Sequence, residues 1–175
     1  MLNTVATSAL PKRARHYAET VSALGNIEIL SIPDKLALFC SRKCPGSVVR
    51  EVYDFAYKLR ANNRTVIGGF QTPLEKECLR VFLNSSQNIV ICPARSLDDL
   101  RIPGVWKTPI EQGRILLISH FPGTVRRVTS ATAESRNRFA ADLADEILFA
   151  HAAPGSSTER LSVDLHNAGR KIRAL

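Results

Sequence analysis

The chain has 175 residues, 45% of them hydrophobic, enough for one domain with a proper core and too few for two comfortable ones. No apolar run approaches the ~20 residues of a membrane span, which excludes a helical membrane protein. With 24 Lys and Arg against 16 Asp and Glu, the net charge of +8 suits a polyanionic partner, nucleic acid first, although a merely basic soluble protein has the same balance.

The first eighteen residues hold Lys12, Arg13 and Arg15 and no acid, and read as a frayed start before a short helix. From Pro11 to Leu24 the spacing of Ala14, Tyr17, Ala18, Val21 and Leu24 predicts that helix, stopped by Gly25. After a short apolar segment, Ile27–Ile32, and a Pro33-Asp34 turn, Lys35–Cys40 is the first core strand. Ser41-Arg42-Lys43 follows it directly. A Pro-Gly turn and Ser47, read as an N-cap, then open a helix to about Ala61. Thr65–Phe70 is a second strand, running into the paired Gly68-Gly69. Thr72, Pro73 and Glu75 make the capping signature of the next helix, with Leu74, Cys78, Leu79 and Phe82 on its apolar face.

Asn88–Cys92 is the third strand, closed by Pro93-Ala94-Arg95. Residues 96–113 are the least regular stretch and contain the single tryptophan, Trp106; one or two short helices over a crevice mouth are expected there. Arg114–His120 is the fourth strand, and a helix starts at Thr129 or Ser130 and ends near Ala144. Glu146–Ala150 is the fifth strand, PGSSTE at 154–159 turns into a last helix, and Lys171–Leu175 is the sixth. Strand and helix alternate throughout, and the strands are apolar on both faces. That pattern predicts an α/β fold: a doubly wound, mostly parallel sheet of about six strands with helices on both faces. Residues 1–25 read as a tail and helix, and 26–175 as one domain.

Cys40, Cys44, Cys78 and Cys92 sit in strand-like or helical apolar patterns and read as reduced packing residues of an intracellular, cytoplasmic protein. No second ligand pair accompanies Cys40 and Cys44, so no metal is expected. Neither a Gly-x-Gly-x-x-Gly nor a Walker lysine motif is present, which argues against dinucleotide redox chemistry and ATP hydrolysis, and no cofactor is expected.

In a doubly wound sheet function collects at the carboxyl ends of the strands. Those ends are Ser41-Arg42, Gly68-Gly69, Pro93-Ala94-Arg95, Ser119-His120 and Pro154–Thr158. Ser41, Arg42, Gly68, Gly69, Gly155, Ser156, Ser157 and Thr158 form a candidate phosphate or nucleotide site, because hydroxyls and free N–H groups donate to phosphate oxygens and arginine pairs them bidentately. An ordinary helix cap needs the same residue types at PGSSTE. Between Arg114 and Arg138 five arginines face one acid, Glu134, while 139–165 is acidic, which points to one basic face. Arg42, Arg95, Arg126, Arg127, Arg136 and Asn137 are the candidate nucleic-acid contacts, with Phe70 or Trp106 as a stacking platform. His16, His120, His151 and His166 are scattered without a Ser or Cys partner at a recognisable spacing, so nucleophilic catalysis has little support. Were the protein an enzyme, Glu75, Glu77 or Glu159 would be its acid or base.

The run CSRKCPGS, VIGGFQTPLEKECL, IVICPAR, GRILLISHFP and SRNRFAADLADEILFAHAAPGSSTE resembles the DNA-processing protein A (DprA/Smf) family in its short form, over about Leu24 to Leu175. RNRF and PGSSTE at this separation are the most specific part. The resemblance implies a Rossmann-like domain that binds single-stranded DNA, forms dimers and assists a recombinase in natural transformation. By position, the family's Ser-Arg is Ser41-Arg42, its Arg-Asn is Arg136-Asn137, and its Gly-Ser-x-Thr turn is Gly155, Ser156 and Thr158. After the second strand GGFQTPLEKE lacks the family's arginine and aspartate. The wider superfamily holds nucleotide sensors and cytokinin-activating phosphoribohydrolases, whose Pro-Gly-Gly-x-Gly-Thr-x-x-Glu signature PGSSTE does not meet. Three readings follow: a single-stranded DNA binder, a nucleotide sensor or N-glycosidic hydrolase using the same crevice, and a dimerising scaffold.

Overall fold

A computed structural model describes residues 3–175. Eight strands form one sheet: β1 (Asn3–Thr4), β2 (Ser22–Gly25), β3 (Leu36–Cys40), β4 (Val66–Gly68), β5 (Ile89–Ile91), β6 (Ile115–Ser119), β7 (Glu146–His151) and β8 (Ile172–Ala174). Five α-helices connect them: α1 (Gly46–Ala61), α2 (Pro73–Leu83), α3 (Gly104–Glu111), α4 (Ser130–Leu143) and α5 (Ser157–Asn167). The sheet order is β1-β2-β6-β5-β4-β3-β7-β8. The six strands from β6 to β8 are mutually parallel, and β2 and β1 add antiparallel at the β6 edge.

The expected doubly wound α/β sheet is therefore present. The chain winds outward from β3 to β6, then returns to the other side of β3 for β7 and β8. The switch of direction falls between β3 and β7, where a crevice opens beyond the carboxyl ends. The β3–β7 register slips between Phe39 and Cys40, which pairs with His151, a bulge at the edge of the crevice.

The strands supply both cores. Ala37 and Phe39 of β3 pack with Phe139, Ala140 and Leu143 of α4 and Leu161 and Leu165 of α5. Leu36, Leu38 and Cys40 pack with Val52 and Ala56 of α1 and Leu74, Cys78 and Phe82 of α2. All five β3 residues are buried, and each large one contributes about 1.5–3 kcal/mol by leaving water. This two-sided burial is why the strands read as unbroken apolar runs.

Two expectations are corrected. Lys12–Thr20 is a 3₁₀ helix, and the stretch expected to finish a helix at Leu24 is strand β2. Val21 and Ala23 are buried while Ser22 and Leu24 are half-buried, the period of a strand. Tertiary pairing decides it, because β2 covers the edge that β6 would otherwise expose. Gly25 fits by lying in the left-handed region (φ 103°) against the Ile115 carbonyl oxygen, where a Cβ would collide. Second, α1 begins at Gly46 with Pro45 as its N-cap residue and no side-chain cap, so Ser47 lies inside the first turn. The capping box at Thr72 and Glu75 is present as expected, and Thr129 caps α4 with Thr132. Within residues 96–113, α3 is the helix that forms, with Trp106 half-buried against the α1–α2 core.

Candidate functional site

Ser41, the residue after β3, is buried and ties the strand ends together. Its N–H donates to the His151 carbonyl (2.8 Å), its Oγ accepts from the Ala153 N–H (2.8 Å), and that Oγ lies 3.1 Å from the Ser156 Oγ. Ser41 and Ser156 are 115 positions apart and face each other across the crevice. Gly155 makes the turn in the left-handed region, φ 73°. Ser156 caps α5 by accepting from the Glu159 N–H (3.1 Å), and the Glu159 carboxylate accepts from the Gly155 N–H (2.6 Å). That carboxylate holds the donor a phosphate would use, so the turn is also an occupied helix cap. Thr158 is buried and Ser157 exposed. Arg42 projects beside Ser41, exposed and with neither hydrogen bond nor ion pair among the described residues.

A third wall comes from α4. The Arg136 guanidinium is buried at 4% exposure and lies against Gly69, where a Cβ would overlap it outright. Its Nη1 donates to the Cys92 carbonyl (3.2 Å) and its Nε to the Asn137 Oδ1 (2.7 Å). Burial pulls its pKa below the ordinary value, and the Glu75 carboxylate opposes that pull. Gly68 faces the Phe70 ring, about 3.2 Å from an added Cβ. Phe70 holds a positive φ of 49°, strain for a bulky residue, and is buried, so it offers no open stacking face. Gly68 and Gly69 thus give close approach to the chain's own Phe70 and Arg136.

The three carboxylates are engaged. Glu75 accepts from the N–H groups of Cys40 (2.9 Å), Gln71 (2.9 Å) and Thr72 (3.3 Å). Glu77 accepts from the Tyr53 hydroxyl (3.0 Å) and Arg80, and these bonds, the hydroxyl's first, hold its pKa below the usual range. It stays ionised at neutral pH and is poorly placed to donate a proton.

The open cations lie along the sheet's carboxyl edge. Arg127, on the loop after β6, is exposed without a partner among the described residues, as are Lys43, Lys76 and Arg101, which spacing alone did not single out. Arg126 is exposed and pairs with Asp99 (3.3 Å). Arg95 is half-buried, its Nε buried without a partner among the described residues. The loop carrying Arg126 and Arg127 is fixed to the one after β5 by the Ser96 N–H to Val125 carbonyl bond (2.8 Å). From β6 to β7 is four strand spacings, about 19 Å at about 4.8 Å each. A stacked strand places a phosphate roughly every 3.4 Å, so this edge spans about five of them. No group of three or more His, Cys, Asp or Glu residues suited to a metal occurs among the described residues.

His120, at the end of β6, is buried among Tyr17, Phe121 and Phe139, with ring centroids 4.9, 4.0 and 4.8 Å away. Its Nε2 bonds the Ser135 Oγ (2.8 Å), and its Nδ1 is buried without a partner among the described residues. The pairing spans a loop and leaves no repeating spacing to read. Burial, then His16, pushes its pKa down to about 4. Between the ordinary value of about 6.5 and about 4 the unfolded chain binds the extra proton, so this stability is present above that window and is lost as pH falls through it. Urea unfolding at pH 7 and pH 4 is expected to show a loss about 3 kcal/mol larger than in His120→Phe. An equal loss in both proteins contradicts the assignment.

No protein-family model matches the sequence, and no curated protein matches it. Two solved structures match over 99% of the chain with TM-scores of 0.77. One is DprA from Streptococcus pneumoniae, 18% identical, of which the chain spans 62% of the length. The other is DprA from Helicobacter pylori, 16% identical and 80% spanned, whose structure is described as giving insights into a single-stranded DNA binding mode. The fold is the one seen in DprA. The resemblance of the sequence to that family is thus matched by the structure, and the DprA-like likeness covers β2 and β1 as well as the six parallel strands. Among the described residues no helix is long and apolar enough to cross a membrane.

Proposed function

We propose that the chain binds single-stranded DNA along the carboxyl edge of its sheet, across the mouth of the β3–β7 crevice. The observation that carries the reading is the set of exposed cations, unpaired among the described residues, on the segments that follow successive strands: Arg42 and Lys43 after β3, Lys76 on the first turn of α2 after β4, Arg101 on the loop after β5 and Arg127 on the loop after β6. From β6 to β3 this row crosses three strand spacings, about 14 Å or about four phosphates, which suits a strand better than one nucleotide. Arg95 and Arg126 complete it once their contacts to the Asp98 carbonyl and to Asp99 are exchanged for phosphate. Arg136 and Asn137 position the β4 and β5 ends beneath the row, and the Ser156–Thr158 turn closes its far end. The DprA-like fold supports this reading through the H. pylori protein. DNA processing in recombination and natural transformation, a recombinase partner, a homodimer and a cytoplasmic setting belong to the same proposal.

A nucleotide site in the crevice would need the Gly155 N–H that Glu159 holds. Anisotropy of a labelled oligonucleotide at low salt, with nucleoside monophosphate as competitor, tests the reading. Saturable binding that millimolar mononucleotide does not displace is expected. Displacement by mononucleotide at the oligonucleotide's own concentration would assign the crevice to single nucleotides instead.

A further inference from the structure

A groove of about 500 Å³ runs between α1 and α2, opening beside the crevice. It lies within the range of small-molecule sites, and its lining is mixed. Half-buried Val49 and buried Leu74 are its apolar base, with exposed Pro73 beside them; Tyr53 and Glu77, both half-buried, line it too, and exposed Arg42 and Lys76 complete the lining. Both cations are free of ion pairs among the described residues. Arg42 belongs equally to the basic edge, so the groove continues that edge.

Tyr53 is held rather than mobile. Its hydroxyl donates to the Glu77 Oε2 at 3.0 Å, and Arg80 grips the same oxygen at 2.7 Å through Nη2 and 3.0 Å through Nε. The other carboxylate oxygen, Oε1, takes no hydrogen bond among the described residues. A fixed aromatic ring, an apolar floor, one free acceptor and two cations are the parts needed for one nucleotide: a surface to stack on, an acceptor for a base N–H, and charges for the flanking phosphates.

We infer that the α1–α2 groove is a nucleobase subsite. One base of the bound single strand leaves the stack and enters between Tyr53 and the Val49–Leu74 floor, while its flanking phosphates rest on Arg42 and Lys76. The inference deepens the reading of single-stranded DNA binding and rests on it. The free carboxylate oxygen accepts from a base N–H, the amino group of adenine, cytosine or guanine or the N3–H of thymine, so the subsite takes any base.

Cys44 lines this groove and is half-exposed, whereas Cys40, Cys78 and Cys92 are buried, so the unmodified protein carries its own reporter. The first measurement is the rate of Cys44 alkylation, read by mass spectrometry, with and without saturating oligo-dA and an abasic oligonucleotide of the same length. Oligo-dA is expected to slow it about tenfold and the abasic strand much less. The second is anisotropy with Tyr53→Leu, a half-exposed change. It is expected to weaken oligo-dA about tenfold, leave the abasic strand unchanged and keep the salt dependence. Oligonucleotide that binds the wild type but leaves Cys44 equally reactive overturns the groove and spares the basic edge. Equal weakening of oligo-dA and abasic strands by Tyr53→Leu also overturns it. No strand binding by the wild type removes the edge and the groove together.

Discussion

Arg42→Glu and Arg127→Glu combined are expected to weaken single-stranded DNA binding on the order of a hundredfold at moderate salt. Arg42 lies two residues after β3 and Arg127 on the loop after β6, with β4 and β5 between those two strands. Each is exposed and unpaired among the described residues, so neither substitution disturbs the fold. Each removes one charge-assisted contact and adds a repulsion to a neighbouring phosphate. The slope of log K against log salt should flatten by about 1.4, two phosphates at about 0.7 each. The control is Lys58→Glu with Arg60→Glu, exposed residues in the last turn of α1, at the opposite end of the sheet layer. It makes the same change in net charge. Equal weakening by both pairs would mean that binding follows net charge and owes nothing to the carboxyl edge.

The second large effect is on stability. Gly69→Ala is expected to cost about 3 kcal/mol, because its Cβ would occupy the space of the Arg136 guanidinium. That group is buried, bonded to the Cys92 carbonyl and to Asn137, and faces the field of the buried Glu75. Displacing it breaks these bonds and leaves Glu75 without its compensating charge. Arg136→Met removes the obstacle at its own cost. The double variant should therefore be more stable than the sum of the singles by more than about 1 kcal/mol. Denaturant midpoints of the four proteins give the coupling. Strict additivity would mean that Arg136 swings clear of Gly69 without loss.

What the sequence reveals and what it hides follow from how far each interaction reaches. The six parallel strands are legible because each is buried on both faces, and unbroken apolar runs such as Leu36–Cys40 have few other readings. The approach of Ser41 to Ser156 across 115 positions is legible through topology alone: in a doubly wound sheet the first strand lies beside the one that follows the change of direction. The amino-terminal strand is not, because Val21, Ala23 and Leu24 satisfy helical and extended spacing almost equally, and the free edge of β6 decides between them. Ser47 is a good cap in isolation, yet Pro45-Gly46 starts α1 earlier.

The site divides in the same way. Arg42, read from the end of the first core strand, and Arg127, read from the basic 114–138 stretch, are both at the surface. Arg136 reads as a surface contact because its sequence neighbours are polar, whereas Gly69, 67 positions away, opens the space that buries it. Glu75 and Glu159 read as candidate acids or caps, and both are held by backbone N–H groups. Tyr53 carries no motif. Its importance depends on Glu77 and Arg80 fixing it over a groove that exists only when α1 and α2 pack together.

The central claim is that a row of cations along the carboxyl edge meets a row of phosphates. The most direct measurement is the affinity for a single-stranded oligonucleotide across a salt series from about 20 to 300 mM. Three to four phosphate contacts predict a straight plot of log K against log salt with a slope of about −2 to −3. A slope near zero, or no binding at the lowest salt, would contradict the account.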